Sequence, residues 1–254
     1  MTSVTRPDLS IVIGAYQEAK FITATLEQLA THLRQHDLGR VEVIVVTADS
    51  PDGTAKLARA QAHRFESFQL LEPGERVGKG RDIRLGMMTA TGRYRLFMDA
   101  DLATPLHYLD NIQQLMTQNV AVAVAVRDLD QIHHDWLRRF TSGLGNLLAR
   151  VVLVPGIRDT QCGFKLFKAS AAEAIFGRQM ILGWGFDMEI LALARYLGYP
   201  ITAFAVPDWR DPKALGDGLT GDSTAGAAWQ SFKDLWRVRL RLMLGRYRKA
   251  SYRP

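Results

Sequence analysis

The sequence of 254 residues has a single cysteine, Cys162, and no apolar run long enough to cross a bilayer. One cysteine excludes an internal disulfide framework and is typical of a reducing compartment. The longest uniformly apolar run, VAVAVAV at 120–126, has the length of a strand, whereas a spanning helix needs about 20 residues. The segment MTSVTRPDLS at 1–10 lacks the apolar core of a signal peptide. We therefore expect a cytoplasmic protein, with Cys162 as a small buried hydrophobe rather than a nucleophile.

Acidic residues are scarce near the C-terminus, which carries the excess positive charge. The net charge is +6, and residues 231–254 contain eight Lys or Arg against one acid, Asp234. Helical spacing relates Trp229, Phe232 and Trp236 in this region. The stripe suits either a helix packed on the domain or an interfacial helix whose cations meet anionic lipid head groups. A nucleic-acid partner is not expected, because it would leave the carboxylates described below unexplained.

Strand-like apolar runs alternate with helical patterns along the first half of the sequence. Strands are predicted at 10–15, 41–46, 68–71, 94–98 and 120–126, and helices at 17–35, 54–65, 78–90 and 105–118. Less regular patterns follow, with helices at 136–153 and 185–197 and strands at 163–168 and 201–206. The alternation predicts an α/β fold with a mostly parallel central sheet flanked by helices. We expect one domain over 1–215, followed at 216–254 by a mobile loop and a basic amphipathic helix.

Polar residues follow three predicted strands, at the edge where ligands bind in open α/β sheets. They are YQE at 16–18, DSPD at 49–52 and DAD at 99–101. At strand spacing Asp99 and Asp101 point to the same side. Two carboxylates there suit Mg²⁺ or Mn²⁺, which completes its coordination with water and substrate phosphates. The alternative is that Asp101 caps the following helix and Asp99 faces water.

A glycine–lysine–glycine motif begins the predicted helix at 78–90. Gly78 and Gly80 let the backbone approach an anion, and Lys79 adds a positive charge at a helix N-terminus. The motif lacks the spacing of a P-loop, and surface turns contain it too. Alone, it is weak evidence for a phosphate site.

The order of these motifs resembles the inverting family-2 glycosyltransferases, which have the GT-A nucleotide-sugar-binding fold. The resemblance rests on SIVIGAYQE, on VEVIVV followed by SPDGT, and on VGKGRDIRLGMMTATGRYRLFMDADLATP. In the second half, DTQCGFKLF (159–167) and GWGFDMEILALARYLGY (183–199) resemble the dolichyl- and polyprenyl-phosphate glycosyltransferases. Together with MDADLATP, the motif DTQCGFKLF most resembles the dolichyl-phosphate glucosyltransferase branch.

This resemblance implies inverting transfer of a hexose, with glucose favoured, from a nucleotide diphosphate sugar such as UDP-glucose to a polyprenyl or dolichyl phosphate. The implied cofactor is Mg²⁺ or Mn²⁺, and the implied location is peripheral, at the cytoplasmic face of a membrane. Mannosyl transfer from GDP-mannose and transfer to a glycan or protein hydroxyl are alternatives of the same class. A non-catalytic nucleotide-sugar-binding protein is an alternative of another class.

The resemblance also assigns residue roles. The nucleotide-sugar contacts are Ala15, Tyr16, Glu18, Asp52, Lys79, Arg84, Asp99, Ala100 and Asp101. Asp99 and Asp101 would hold the metal, and the acceptor phosphate would meet Arg127, Arg139 and Lys165. The candidate catalytic residues are Asp101 and Asp187, with Glu189 an alternative to Asp187.

One departure from the family pattern concerns the nucleobase. The family pattern VVDDGSPDGT is VVTADSPDGT here, so Thr47 and Ala48 stand where the family has two aspartates. One of those acids contacts the base in the family, and Asp49 stands one position later. The choice between UDP and GDP is therefore left open by the sequence.

Overall fold

A computed structural model describes residues 6–127, 153–210 and 224–248 of the chain. These segments form a seven-stranded sheet with helices on both faces. In chain order the elements are β1 Leu9–Gly14, α1 Ile22–Gln35, β2 Val41–Val46, α2 Thr54–Ala60, β3 Phe68–Leu71, α3 Lys79–Thr89, β4 Tyr94–Asp99, α4 Tyr108–Thr117, β5 Val122–Arg127, β6 Phe164–Lys168, α5 Ala169–Phe176, α6 Phe186–Tyr196, β7 Ile201–Val206 and α7 Thr224–Met243.

The sheet has the strand order β3-β2-β1-β4-β6-β5-β7. Neighbours are parallel except at β6, which runs antiparallel to both β4 and β5. The predicted α/β class with a mostly parallel sheet is confirmed. The central strands are mostly apolar because helices cover both of their faces, and their buried polar exceptions are Ser10, Glu42, Arg95 and Lys165.

Two apolar layers form the core. One face of the sheet packs against α1 and α4, through Ile22, Leu26, Leu29, Leu109 and Ile112. The other face packs against α3, α5 and α6, and α7 adds Leu235 and Val238 to this layer. The basic C-terminal helix therefore buries one of its faces on the domain. Within the part of the chain that the structure describes, no helix combines the length and apolarity needed to cross a bilayer.

Several elements differ from their predicted bounds. α1 begins at Ile22 and α4 at Tyr108, because the residues before them form loops at the carboxyl edge of the sheet. The pattern at 54–65 divides into α2 and a 3₁₀ turn, Ala62–Arg64. The helix α5 was missed, since eight residues are too few to show a clear helical period. The helix predicted at 136–153 lies almost wholly outside the described residues, and 224–226 of the predicted loop belong to α7.

Candidate active site

The ends of β1, β2 and β4 lie side by side, as the polar clusters of the sequence predicted. Gly14 pairs with Val46 on one side and with Asp99 on the other, so the three following loops share one edge. Ala15, the first residue after β1, is buried, and its backbone N–H donates to the carbonyl of Val46 at 2.9 Å. The residues predicted to contact the nucleotide sugar therefore follow strand ends that lie side by side at one edge of the sheet.

Asp99 closes β4, and α3 brings Lys79 to it. Lys79 Nζ lies 2.6 Å from Asp99 Oδ1, and both side chains are partly exposed. Burial lowers the pKa of Lys79, but the charges of Asp99 and Asp187 outweigh that effect and raise it above the usual value. The GKG motif thus places a protonated ammonium group directly beside the first aspartate of DAD.

Gly163, just before β6, packs against the Asp99 carboxylate. A Cβ atom at position 163 would lie 1.9 Å from Asp99 Oδ2. The Asp99 backbone N–H also donates to the Gly163 carbonyl at 3.1 Å. Because β6 is antiparallel to β4, the glycine of DTQCGFKLF comes to the edge where the DAD motif lies. The sequence analysis quoted this glycine but gave it no role.

Asp101 lies in the turn after β4. Its Oδ1 accepts a hydrogen bond from the Ala103 N–H at 3.1 Å within the loop, so it does not cap α4, which begins at Tyr108. The turn is also held by Thr25, whose hydroxyl donates to the Ala100 carbonyl at 2.6 Å. A carboxylate has about four lone-pair positions, so this bond does not by itself exclude a cation.

The Asp99 and Asp101 pair fits a divalent metal ion on the chemistry of its donors. Both residues are partly exposed, both offer carboxylate oxygens, and no bulky side chain can occupy the position of Gly163. Mg²⁺ and Mn²⁺ need only one or two protein carboxylates when phosphate oxygens supply further ligands. Lys79 beside them provides positive charge for those phosphates.

A second lysine–aspartate pair is buried close to the first. The ammonium group of Lys165, on β6, donates to Asp187 at the start of α6 and to the Cys162 carbonyl at 2.6 Å. The Lys165 side chain is 0% exposed and that of Asp187 6%. Burial raises the pKa of the Asp187 carboxyl, and the charges of Lys165 and Lys79 oppose that rise.

Lys165 therefore has a different position from the one predicted. Its ammonium lies inside the fold, 5.2 Å from the centre of the Phe97 ring, and faces a carboxylate and a carbonyl rather than the surface. An acceptor phosphate outside the protein cannot reach a fully buried side chain in this conformation. Lys165 acts instead on Asp187, which it neutralises and orients.

Arg127, at the end of β5, is held by Asp159. Arg127 Nε lies 2.5 Å from Asp159 Oδ2, and Nη2 lies 3.0 Å from Oδ1. Burial raises the pKa of Asp159, but the hydrogen bonds and charge of Arg127 hold it below its usual value. The sequence analysis missed Asp159, although it stands first in DTQCGFKLF. The predicted neighbour Arg139 lies outside the described residues.

Asp52 joins the loops that follow β1 and β2. Its carboxylate accepts hydrogen bonds from the Ala19 N–H, the Ser50 hydroxyl, and both the N–H and the hydroxyl of Thr54. Although burial opposes the shift, these bonds lower the pKa of Asp52 to about 2. The carboxylate already accepts four hydrogen bonds, so in this structure Asp52 holds the loop after β1, which carries Tyr16 and Glu18, to the loop after β2.

Tyr16 faces a cation that the sequence analysis did not select. The guanidinium carbon of Arg76 lies 3.8 Å from the centre of the Tyr16 ring. Thr47 and Ala48, which stand where the family has acids, are both buried, and Asp49 is exposed beside them. The loop after β2 therefore carries less negative charge at positions 47 and 48 than the family pattern does.

Arg84 and Glu189 lie in positions other than the predicted ones. Arg84 Nε donates to the Phe176 carbonyl at 2.9 Å, so its guanidinium caps the end of α5 instead of facing Asp99. Glu189 accepts hydrogen bonds from the Tyr247 hydroxyl at 2.6 Å and the Ile181 N–H at 2.7 Å. Glu189 thus ties the C-terminal segment to the domain, so of the two acids Asp187 is the one whose charge acts on Lys79.

Cys162 is buried, as expected. It is 1% exposed, and burial raises the pKa of its thiol to about 11. A thiol that remains protonated and inaccessible at neutral pH is not a nucleophile.

Comparison with known proteins finds relatives over most of the chain. The family model described as glycosyl transferase family 2 matches residues 10–176. A dolichyl-phosphate beta-glucosyltransferase of Drosophila melanogaster is 32% identical over 261 residues, covering 96% of this chain and 78% of the relative. The enzyme of the same name from Dictyostelium discoideum is 31% identical over 252 residues, covering 93% of this chain and 75% of the relative.

The fold is also found among solved structures. Glucosyl-3-phosphoglycerate synthase from Mycobacterium tuberculosis, in complex with Mn²⁺, UDP and phosphoglyceric acid, aligns with a TM-score of 0.68. The match covers 92% of this chain and 78% of the synthase at 17% identity. At that identity the likeness shows the shared fold alone.

Proposed function

The chain belongs to glycosyl transferase family 2, and we propose that it transfers glucose from UDP-glucose to a polyprenyl or dolichyl phosphate with inversion at the anomeric carbon. The chain is a glycosyltransferase of the GT-A fold. The Lys79–Asp99 pair carries the proposal, because together with Asp101 it places one cation and two carboxylates where the loops of β1, β2 and β4 meet. The choice of glucose follows the names of the relatives.

Asp99 and Asp101 are the residues that would hold Mg²⁺ or Mn²⁺ together with the donor diphosphate. When bound, the ion supplies positive charge that stabilises the diphosphate as a leaving group. Lys79 adds a protonated ammonium at the same place, and Gly163 keeps the space beside Asp99 open. These residues fix the leaving group, while Tyr16 and Glu18 lie on the neighbouring loop toward the nucleoside.

In the proposed reaction an oxygen of the lipid phosphate attacks the anomeric carbon from the side opposite the diphosphate. A bond forms between that oxygen and the anomeric carbon as the bond to the diphosphate breaks, which gives UDP and a β-linked glucosyl phosphate. An ionised phosphate needs no general base, so no proton has to be removed. The requirement is to hold two anionic partners together, and Arg127 is the described cation proposed for the acceptor.

The test is an assay of purified full-length chain with Mn²⁺, polyprenyl phosphate and separate nucleotide sugars. We expect a glucosylated lipid phosphate from UDP-glucose and loss of product when EDTA is added. Product from GDP-mannose alone would assign the mannosyl alternative. Nucleotide binding without any transfer product, from any donor, would overturn the proposal in favour of a binding protein.

Gly163→Ala is expected to lower the affinity for Mn²⁺·UDP by at least tenfold, because the new methyl group must displace the Asp99 carboxylate. The measurement is a calorimetric titration of the variant with UDP at saturating Mn²⁺. Gly183→Ala is the matched control, since a Cβ there meets nothing within 4 Å. Equal affinities of the two variants would contradict a role of Asp99 in metal–diphosphate binding.

We further propose that the outward face of α7 rests on an anionic membrane surface. Its exposed apolar side chains follow a helical stripe, which consists of Phe232, Trp236, Leu240 and Met243. Lys233 and Arg237 flank this stripe with positive charge. An apolar stripe between cations suits the boundary between anionic head groups and acyl chains, where a lipid-linked acceptor lies. That this surface is the cytoplasmic leaflet stays a prediction.

Leu240→Glu is expected to reduce binding to vesicles containing anionic lipid by about tenfold or more, because it buries a carboxylate at the lipid boundary. Flotation of the full chain with phosphatidylserine vesicles measures this. Gln28→Glu changes the charge equally at an exposed position of α1 and should leave binding unchanged. Equal flotation of the Leu240 variant and wild type would contradict the proposed surface.

A further inference from the structure

A cluster of two histidines and one aspartate lies on the α1–α4 layer, apart from the DAD motif. His32 Nε2, in the last turn of α1, and His36 Nδ1, just after that helix, lie 3.5 Å and 3.0 Å from Asp110 Oδ1 on α4. The three ligand atoms all lie within 4.8 Å of one another. His36 caps the end of α1 by donating its backbone N–H to the His32 carbonyl, and its ring stacks on that of His32. Thr25, which contacts the DAD turn, lies about two helical turns away along α1.

Two of the three separations are close to those between the ligands of a small divalent ion. In a tetrahedral site with metal–ligand bonds of about 2.0–2.1 Å, neighbouring ligand atoms stand about 3.3 Å apart. The separations of 3.5 Å and 3.0 Å lie on either side of that value. Small rotations of the two imidazole rings, which stack with their centres 4.1 Å apart, would bring all three atoms to bonding distance.

His32 has the more buried of the two rings, since its side chain is 11% exposed against 40% for His36. Its Nε2 atom is buried and, beyond the 3.5 Å approach to Asp110, has no hydrogen-bond partner among the described residues. A buried nitrogen without a partner is costly, and a bound cation would satisfy it.

We propose that His32, His36 and Asp110 form a second metal site, which binds Zn²⁺ or a similar borderline ion with water as the fourth ligand. Two imidazoles and one carboxylate select ions of this class over Mg²⁺, which prefers oxygen ligands alone. The His36 and Asp110 side chains are 40% and 46% exposed, so an ion can enter from solvent. A bound ion would fasten the second half of α1 to the start of α4.

Tag-free full-length chain, stripped with EDTA and kept in millimolar Mg²⁺, is titrated with Co²⁺ and, separately, with Zn²⁺. We expect the intense visible absorption of four-coordinate Co²⁺ and one Zn²⁺ bound per chain. At a free Zn²⁺ concentration 100 times Kd, Tm should rise by about 5–10 °C. Weak octahedral Co²⁺ absorption with no change in Tm would overturn the proposal and leave only a hydrogen-bonded cluster.

Variants locate the site. His36→Ala, at a partly exposed position, is expected to lower Zn²⁺ affinity at least 100-fold and abolish the rise in Tm. His107→Ala, which removes an exposed histidine 3.4 Å from Asp208, should bind Zn²⁺ as wild type does. The double variant His133→Ala/His134→Ala should also bind normally. Binding lost in that double variant but kept in His36→Ala would overturn the assignment.

Discussion

Asp101→Asn is expected to lower kcat for glucosyl transfer by about a thousandfold, because it removes a negative ligand from the metal–diphosphate site. Asparagine keeps an oxygen that can accept the Ala103 N–H bond, so the turn after β4 should remain folded. Initial rates at saturating UDP-glucose, Mn²⁺ and polyprenyl phosphate measure the effect. Thermal unfolding of the same preparation checks that the fold is unchanged.

Glu66→Gln is the matched control for this prediction. Glu66 is an exposed carboxylate just before β3, at the opposite end of the strands from the site, and its neutralisation changes the net charge by the same amount. We expect less than a twofold change in kcat for the control. A rate for Asp101→Asn within tenfold of wild type would contradict a direct role of Asp101 in the reaction.

Lys165→Met is expected to lower the free energy of unfolding by about 3–5 kcal/mol, because it leaves the Asp187 carboxylate buried without its partner. Urea denaturation followed by circular dichroism measures this loss. The double variant Lys165→Met/Asp187→Leu should recover much of the lost stability, since replacing both charges by apolar groups removes the unpaired one. Lys168→Met, at the exposed end of β6, should cost less than about 1 kcal/mol.

This prediction separates two roles for Lys165. A buried partner of Asp187 makes the single variant unstable and lets the second substitution rescue it. A contact to the acceptor phosphate would instead leave stability near wild type and raise KM for polyprenyl phosphate. The second outcome would restore the position that the sequence analysis predicted.

The sequence predicted features that depend on neighbouring residues. β2 and β4 are predominantly apolar, with Glu42 and Arg95 as interruptions, so their positions could be predicted from the pattern of strands buried on both faces. The DAD motif lies at the end of β4, and GKG begins α3, because strand and helix ends follow from local pattern. The shared edge could be inferred from the rule for parallel sheets.

Features that depend on distant partners could not be predicted in the same way. The sequence shows that Lys165 and Arg127 are cations, but it does not show that Asp187 and Asp159 are their ion-pair partners. The resemblance therefore assigned both cations to the acceptor phosphate. Likewise, helical spacing predicts that α7 is amphipathic, but only packing shows that Leu235 is buried while Trp236 is exposed.

The single reversed strand has a consequence for how the newly made chain folds. Among the described residues, β5 pairs only with β6 and β7, and both follow it in the sequence. The ribosome must therefore add residues 128–163 before the first partner of β5 exists, whereas β1, β2, β3 and β4 can pair as they emerge. Until then the uncharged run VAVAVAV has two open edges, which can template aggregation. We therefore expect the nascent half-sheet to be the stage of folding most exposed to aggregation.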